Sequence, residues 1–159
     1  LYIIFGSSYI KGDLVNFLIK KKAINIHMGI SPYYRGTDCN FWALYDNNPH
    51  LVGATIHLLS KGLDNGPILY HALSNLKNNP FEYTMSTVKS AFHSISARIN
   101  NGTILNISTS EQEKIQEIRY SKSKDFSEEV IKKFFSKKID LNLKKFDENL
   151  LKQPFFLEK

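Results

Sequence analysis

The sequence predicts an α/β domain built on a sheet of mixed parallel and antiparallel strands, and three observations carry that expectation. Two apolar runs, LYIIFG at residues 1–6 and AINIH at 23–27, flank a helical pattern at 13–20, which is the order of a βαβ unit. Two further runs, LVGATIHLL at 51–59 and PILYHAL at 67–73, flank a turn of Gly62, Asp64, Asn65 and Gly66 and read as an antiparallel pair. An amphipathic pattern at 84–99 supplies a helix to cover one face of the sheet.

Taken in order, LYIIFG is continuous enough for a buried parallel strand, and Ser7 to Gly12 is a polar turn. Asp13 stands where a cap is wanted for a helix that carries Leu14, Phe17 and Leu18 at helical spacing. In the next strand Asn25 and His27 share one side and Ile24 and Ile26 the other. A loop at 28–37 follows, and Asp38 is expected to cap a helix to Tyr45 with Phe41, Trp42 and Leu44 as its apolar positions. Residues 74–81 form an Asn-rich linker, and Met85, Val88, Phe92, Ile95 and Ile99 give the apolar stripe of the 84–99 helix. Beyond residue 100 the patterning weakens to a strand-like IQEIRY at 115–120, a helix at 127–135 behind Asp125, and a Lys-rich end. Residues 1–100 are therefore expected to carry the function and residues 101–159 to form a charged appendage.

Composition narrows the class. The 159 residues are 42% hydrophobic, no apolar run approaches the ~20 residues of a membrane helix, and LYIIFGSSYIKG does not read as a signal peptide. The single Cys39 has no disulfide partner in the chain, which suits a reducing, cytoplasmic setting. The net charge of +6 is not arranged as a nucleic-acid footprint: residues 1–100 hold nine Lys and Arg against five Asp and Glu, and residues 101–159 hold twelve against ten. The excess in the first part suits an anionic substrate, and nucleic acid and membrane are not expected partners.

The chemistry concentrates at the carboxyl end of the 23–27 strand, where open α/β sheets bind their ligands. Asn25 and His27 stand side by side there, followed by Ser31-Pro32 and Arg35-Gly36, and a second segment brings His57 and then Asp64. An amide donor, an imidazole and a carboxylate delivered to one place can stabilise an oxyanion and move a proton. An isolated Asn-x-His is as readily a structural pair, and Tyr33, Tyr34 and Trp42 are as readily packing as stacking residues. His27, His50, His57, His71 and His93 show no zinc-type spacing, so no metal is expected.

In this joint order the sequence resembles the 10-formyltetrahydrofolate-dependent formyltransferases, firmly over residues 1–75 and fading beyond 100. The resemblance implies a partial Rossmann-like, three-layer α/β fold in which Asn25, His27 and Asp64 are the catalytic triad. It implies that His57 supports Asp64, with Ser31 and Arg35 as further supporting positions. Phe5, Gly6, Ser7, Ser8, Tyr9 and Ile10 would face the folate, and Leu63, Asn65 and Gly66 would close round its pterin. The co-substrate is then 10-formyltetrahydrofolate, and a primary amine attacks its formyl carbon. Gly29 stands where purine-pathway members carry Ser, and SPYYRG with NFW at 40–42 looks most like the sugar N-formyltransferases. The expected acceptor is an amino sugar nucleotide, with methionyl-tRNA, or a catalytically incomplete folate-binding module, as alternatives. Only 24 residues precede Asn25, so the chain reads as a fragment lacking an acceptor-binding segment. A sheet of that kind leaves an edge and an apolar face, which a homodimer or the missing segment would cover.

Overall fold

Alternation along the second apolar run decides how the sheet divides its two faces. In the computed structural model, which describes residues 1–137, 139, 141 and 148–157, strand β2 (Ile24–His27) buries Ile24 and Ile26 in one hydrophobic cluster. Asn25 and His27 therefore emerge on the opposite face. β2 pairs in parallel with β1 (Ile3–Phe5) and antiparallel with β4 (Ala54–Leu58). Helix α1 (Gly12–Lys20) connects β1 to β2 and buries Val15 and Leu18. β4 pairs with β5 (Ile68–Ser74), and the five-stranded sheet runs β1-β2-β4-β5-β7, closed at its far end by β7 (Phe155–Leu157) parallel to β5. This is the mixed α/β sheet that the sequence predicts.

Helix α3 (Pro80–Asn100) packs Ala91 and Ile95 against Ile24, Ile26, Ala54, Ile56, Tyr70 and Ala72. A second cluster gathers Ile30, Tyr34, Val52 and Leu73 with Trp42 and Leu44 of helix α2 (Cys39–Tyr45) and Phe134 of helix α4 (Glu128–Ser136). Each fully buried aliphatic side chain stabilises the fold by about 2 kcal/mol. A separate two-stranded ribbon pairs β3 (Tyr34–Gly36) in parallel with β6 (Arg119–Ser121).

Several local expectations are corrected. β1 is an edge strand in the described sheet, not a buried one, because only β2 lies beside it; Ile3 and Phe5 stay more than 40% exposed. Asp13 lies inside the first turn of α1 and does not cap it; Asp38 precedes α2 in a left-handed conformation, φ 55°, with no cap hydrogen bond. The cap of α4 is Ser127, whose hydroxyl accepts from the Val130 N–H, while Asp125 accepts from the Lys122 N–H. α3 starts at Pro80 behind an Asn79 cap, and its packed face keeps only part of the expected stripe: Ile95 is buried with Tyr83, Thr87, Ser90, Ala91 and Ser94, and Val88 is half-buried, whereas Met85, Phe92 and Ile99 are exposed. Small hydroxyl residues let the helix approach closely while satisfying themselves, Ser90 by donating to the Leu73 carbonyl at 2.6 Å and Ser94 by pairing with the Tyr70 hydroxyl at 3.1 Å. Strand pairing also crosses the boundary expected at residue 100, since β6 joins β3 and β7 joins β5. The Lys-rich end at 142–147 and 158–159 lies outside the described residues.

Candidate active site

The antiparallel register of β2 and β4 places Asn25 directly opposite His57 and His27 opposite Thr55, so the polar face of the sheet is shared by both strands. A register shift between Ile56 and His57 in the β4–β5 pairing falls at this point, as bulges do where a side chain must be aimed. The Asn25 amide nitrogen lies 3.0 Å from His57 Nε2 and donates to Asp64 Oδ1 at 3.4 Å. His27 Nδ1 faces Asp64 Oδ2 at 3.4 Å, and His57 Nε2 lies 3.9 Å from Asp64 Oδ1. Asn25, His27 and His57 thus converge on the Asp64 carboxylate, three side chains of two strands meeting one from a loop.

Protonation follows from the partners. His57 Nδ1 donates to the Leu58 carbonyl at 2.8 Å, which leaves Nε2 as an acceptor for the Asn25 amide. Burial lowers its pKa from 6.5 to about 4, so it is a neutral acceptor at physiological pH. His27 Nε2 donates to the Tyr34 carbonyl at 3.1 Å. Its Nδ1 meets the carboxylate favourably only when it also carries a proton, because two acceptors would otherwise face each other. Asp64 sits on its loop with φ 49°, a left-handed conformation that Asp tolerates better than most residues. Burial pushes the Cys39 thiol up to about 12, which makes it a packing residue beside the site and not a nucleophile.

A cleft of about 330 Å³ opens over these groups. Phe5, Gly6, Ser7, Ser8, Tyr9 and Ile10 line it together with Leu63, Asp64, Asn25, His27 and His57. The other anticipated positions lie elsewhere. Asn65 turns away and accepts from the Ser60 hydroxyl at 2.5 Å, and Gly66 is used for close approach, since a Cβ there would lie 1.8 Å from the Leu58 carbonyl oxygen. Ser31 is fully buried, its N–H donating to Thr55 Oγ1 at 2.8 Å. Arg35 reaches the site only through the loop, donating to the Leu63 carbonyl at 2.8 Å.

The sequence reading did not anticipate the lining residues Val15, Met28, Thr37, Leu59 and Ser60, nor the closeness of Gly29. A Cβ at Gly29 would stand 2.5 Å from Cys39 Cβ and 2.7 Å from His27 Nε2. The available signal is the Gly itself, which the resemblance sets against a Ser in purine-pathway members. A larger apolar groove of about 660 Å³ lies between α2, the start of α3 and α4, and none of the converging residues lines it. Among the described residues no group of three or more His, Cys, Asp or Glu is arranged to hold a metal ion, and no helix is long and apolar enough to cross a membrane.

A mixed α/β sheet with a polar cluster under a strand-end cleft is the setting in which open sheets bind small molecules, and comparison with known proteins gives the family. Residues 8–99 match the formyl transferase family, and the chain belongs to it. Among solved structures it is similar to the formyltransferase PseJ from Anoxybacillus kamchatkensis, in complex with UDP-4,6-dideoxy-4-formamido-L-AltNAc and tetrahydrofolate. That likeness has 30% identity and a TM-score of 0.59, covering 77% of this chain and 64% of that one. It is similar as well to a 4-N formyltransferase from Francisella tularensis, with 25% identity and a TM-score of 0.60 over 77% of this chain and 49% of that one. A methionyl-tRNA formyltransferase of Thermodesulfovibrio yellowstonii is 34% identical over 67 residues, 42% of this chain and 21% of that protein. The chain therefore spans about a fifth of that curated relative and less than two thirds of either structure.

Proposed function

We propose that the protein transfers a formyl group from 10-formyltetrahydrofolate to the primary amine of an amino sugar nucleotide. The observation that carries this reading is the convergence of Asn25, His27, His57 and Asp64 at the base of the cleft lined by residues 5–10. The cleft suits the co-substrate: its volume lies at the small end of ligand pockets, and Phe5, Tyr9, Ile10, Met28 and Leu63 give apolar walls for a flat heterocycle. The polar base is left for the group that reacts. Bound there, the co-substrate supplies an activated formyl carbon.

The chain's own residues do the rest. The new C–N bond forms at the acceptor amine as the bond to the folate nitrogen breaks, so one proton must leave the first nitrogen and one must reach the second. Asp64 is placed to take the proton from the amine and pass it to the folate nitrogen, with His27 Nδ1 3.4 Å from its carboxylate. Asn25 has both amide hydrogens engaged, at 3.0 Å and 3.4 Å, so it donates to the carbonyl oxygen by releasing the longer contact to Asp64. Neutral His57 holds the other hydrogen and fixes the amide. The single buried Cys39 suits a reducing, cytoplasmic setting.

The sugar-nucleotide reading is supported by the likeness to PseJ, which extends over 77% of this chain. The likeness to a methionyl-tRNA formyltransferase favours a second acceptor, methionyl-tRNA. Residues 101–159 carry twelve basic against ten acidic residues, a weak electrostatic footprint for tRNA. The test is to follow 10-formyltetrahydrofolate consumption with UDP- and dTDP-linked amino sugars and with methionyl-tRNA as acceptors. Transfer to an amino sugar nucleotide is expected. Transfer to methionyl-tRNA alone establishes the rival, and folate binding without turnover on any amine makes the chain a binding module.

A further inference from the structure

Tyr34 and Arg35, adjacent on β3, hold opposite members of the His27–Asp64 pair. The Tyr34 carbonyl accepts from His27 Nε2 at 3.1 Å, and Arg35 Nη2 donates to the carbonyl of Leu63, the residue before Asp64, at 2.8 Å. Arg35 Nη1 turns the other way to Glu117 Oε2 at 3.1 Å. The Tyr34 ring is anchored as well: its hydroxyl donates to Asp46 Oδ2 at 3.2 Å, and Arg119 forks onto the same carboxylate at 2.8 and 2.6 Å. β3 itself is held in register by β6, with Tyr34 opposite Arg119 and Arg35 opposite Tyr120. The two strands are close enough that a Cβ at Gly36, where φ is 94°, would fall 1.9 Å from the Ser121 carbonyl oxygen.

We propose that this β3–β6 ribbon is a brace that sets the separation of His27 and Asp64, and that Glu117 is a positioning residue acting through Arg35. The inference rests on the reading that Asp64 and His27 perform the transfer. Three features favour a positioning role over simple fastening of the chain beyond residue 100. Arg35 is 7% exposed and spans two partners with one planar fork, a geometry lysine cannot reproduce. The partner it reaches is the peptide unit leading into Asp64, so its hydrogen bond fixes the backbone from which that carboxylate projects. Neither Arg35 nor Glu117 lines the cleft, so neither is a substrate contact.

The test uses the full chain with Glu117→Gln and Arg35→Lys, measured for kcat, KM, affinity for 5-formyltetrahydrofolate, thermal midpoint, and hydrogen exchange resolved to residues 60–66 and 114–121. Glu117→Gln should lower kcat roughly tenfold, a loss of about 1.4 kcal/mol in the barrier. KM and folate affinity should stay within about twofold, while exchange at 60–66 quickens. Arg35→Lys, which keeps the charge and loses the span, should do the same and carries the test if the first variant is poorly folded. Quickened exchange confined to 114–121 with kcat unchanged would overturn the proposal. A wild-type chain without transfer, in which Glu117→Gln still loosens 60–66, would remove the proposed function and leave the brace standing.

Discussion

His71 makes stability depend on pH in a way that can be worked out from its contacts. Its Nδ1 accepts from the Lys152 N–H at 2.9 Å and its Nε2 donates to the Ser31 carbonyl at 3.0 Å, so the folded protein uses an imidazole with one proton and has no place for a second. Burial lowers its pKa from 6.5 to about 4; the Ser31 carbonyl opposes the shift and the Lys152 charge adds to it. Because the folded pKa lies below the unfolded one, the unfolded chain binds the proton first as pH falls. The contribution is complete above pH 6.5 and is lost progressively towards pH 4. At about 1.4 kcal/mol per pH unit, the loss between pH 7.5 and pH 4.5 is on the order of 2–3 kcal/mol. Urea unfolding of the wild type and of His71→Gln at both pH values isolates the term, because His57 titrates equally in the two proteins. The wild type should lose roughly 2–3 kcal/mol more than the variant. Parallel losses would refute the reasoning.

Three further outcomes are expected. Gly29→Ser places a Cβ against Cys39 Cβ and His27 Nε2, and turnover should fall roughly tenfold or more through displacement of His27; unchanged turnover would show that the loop yields without cost. Gly66→Ala drives a Cβ into the carbonyl that orients His57, and urea unfolding should register a loss of about 1–3 kcal/mol, against no change if the turn relaxes freely. Light scattering of the 159 residues on their own should show concentration-dependent self-association through the β1 edge, where Leu1, Tyr2 and Ile3 are exposed, with Ile3→Lys suppressing it; a monodisperse preparation of the same residues would contradict this.

What was legible in the sequence is what local pattern can carry. Alternation at 23–27 put Asn25 and His27 on one face, and the Gly-rich turn after β4 put Asp64 within reach of them. Contacts between distant residues left no local trace. Glu117 meets Arg35 across 82 positions and Lys152 meets His71 across 81, and neither acid nor lysine stands out in a charged stretch. β7 is three residues long, too short for a period-2 pattern to register. The α3 stripe misled for a different reason: apolar spacing pointed to Met85, Phe92 and Ile99, whereas Thr87, Ser90 and Ser94 are buried through hydrogen bonds that composition does not reveal. Acidic residues before helices mislead as cap signals, because Asp13 and Asp38 have the right chemistry without the required backbone.

Asp64→Asn separates a carboxylate that moves the proton of the proposed transfer from one that merely shapes its turn. Asn has the same shape and tolerates the left-handed φ of 49°, so the turn should survive. It cannot accept a proton, and its amide nitrogen cannot accept from His27 Nδ1, 3.4 Å from the present carboxylate. Turnover of 10-formyltetrahydrofolate should fall about a hundredfold or more, the scale of a positioned acid or base, with folate affinity and thermal midpoint unchanged. Near-normal turnover in a variant of unchanged stability would contradict the account, reducing Asp64 to a turn residue.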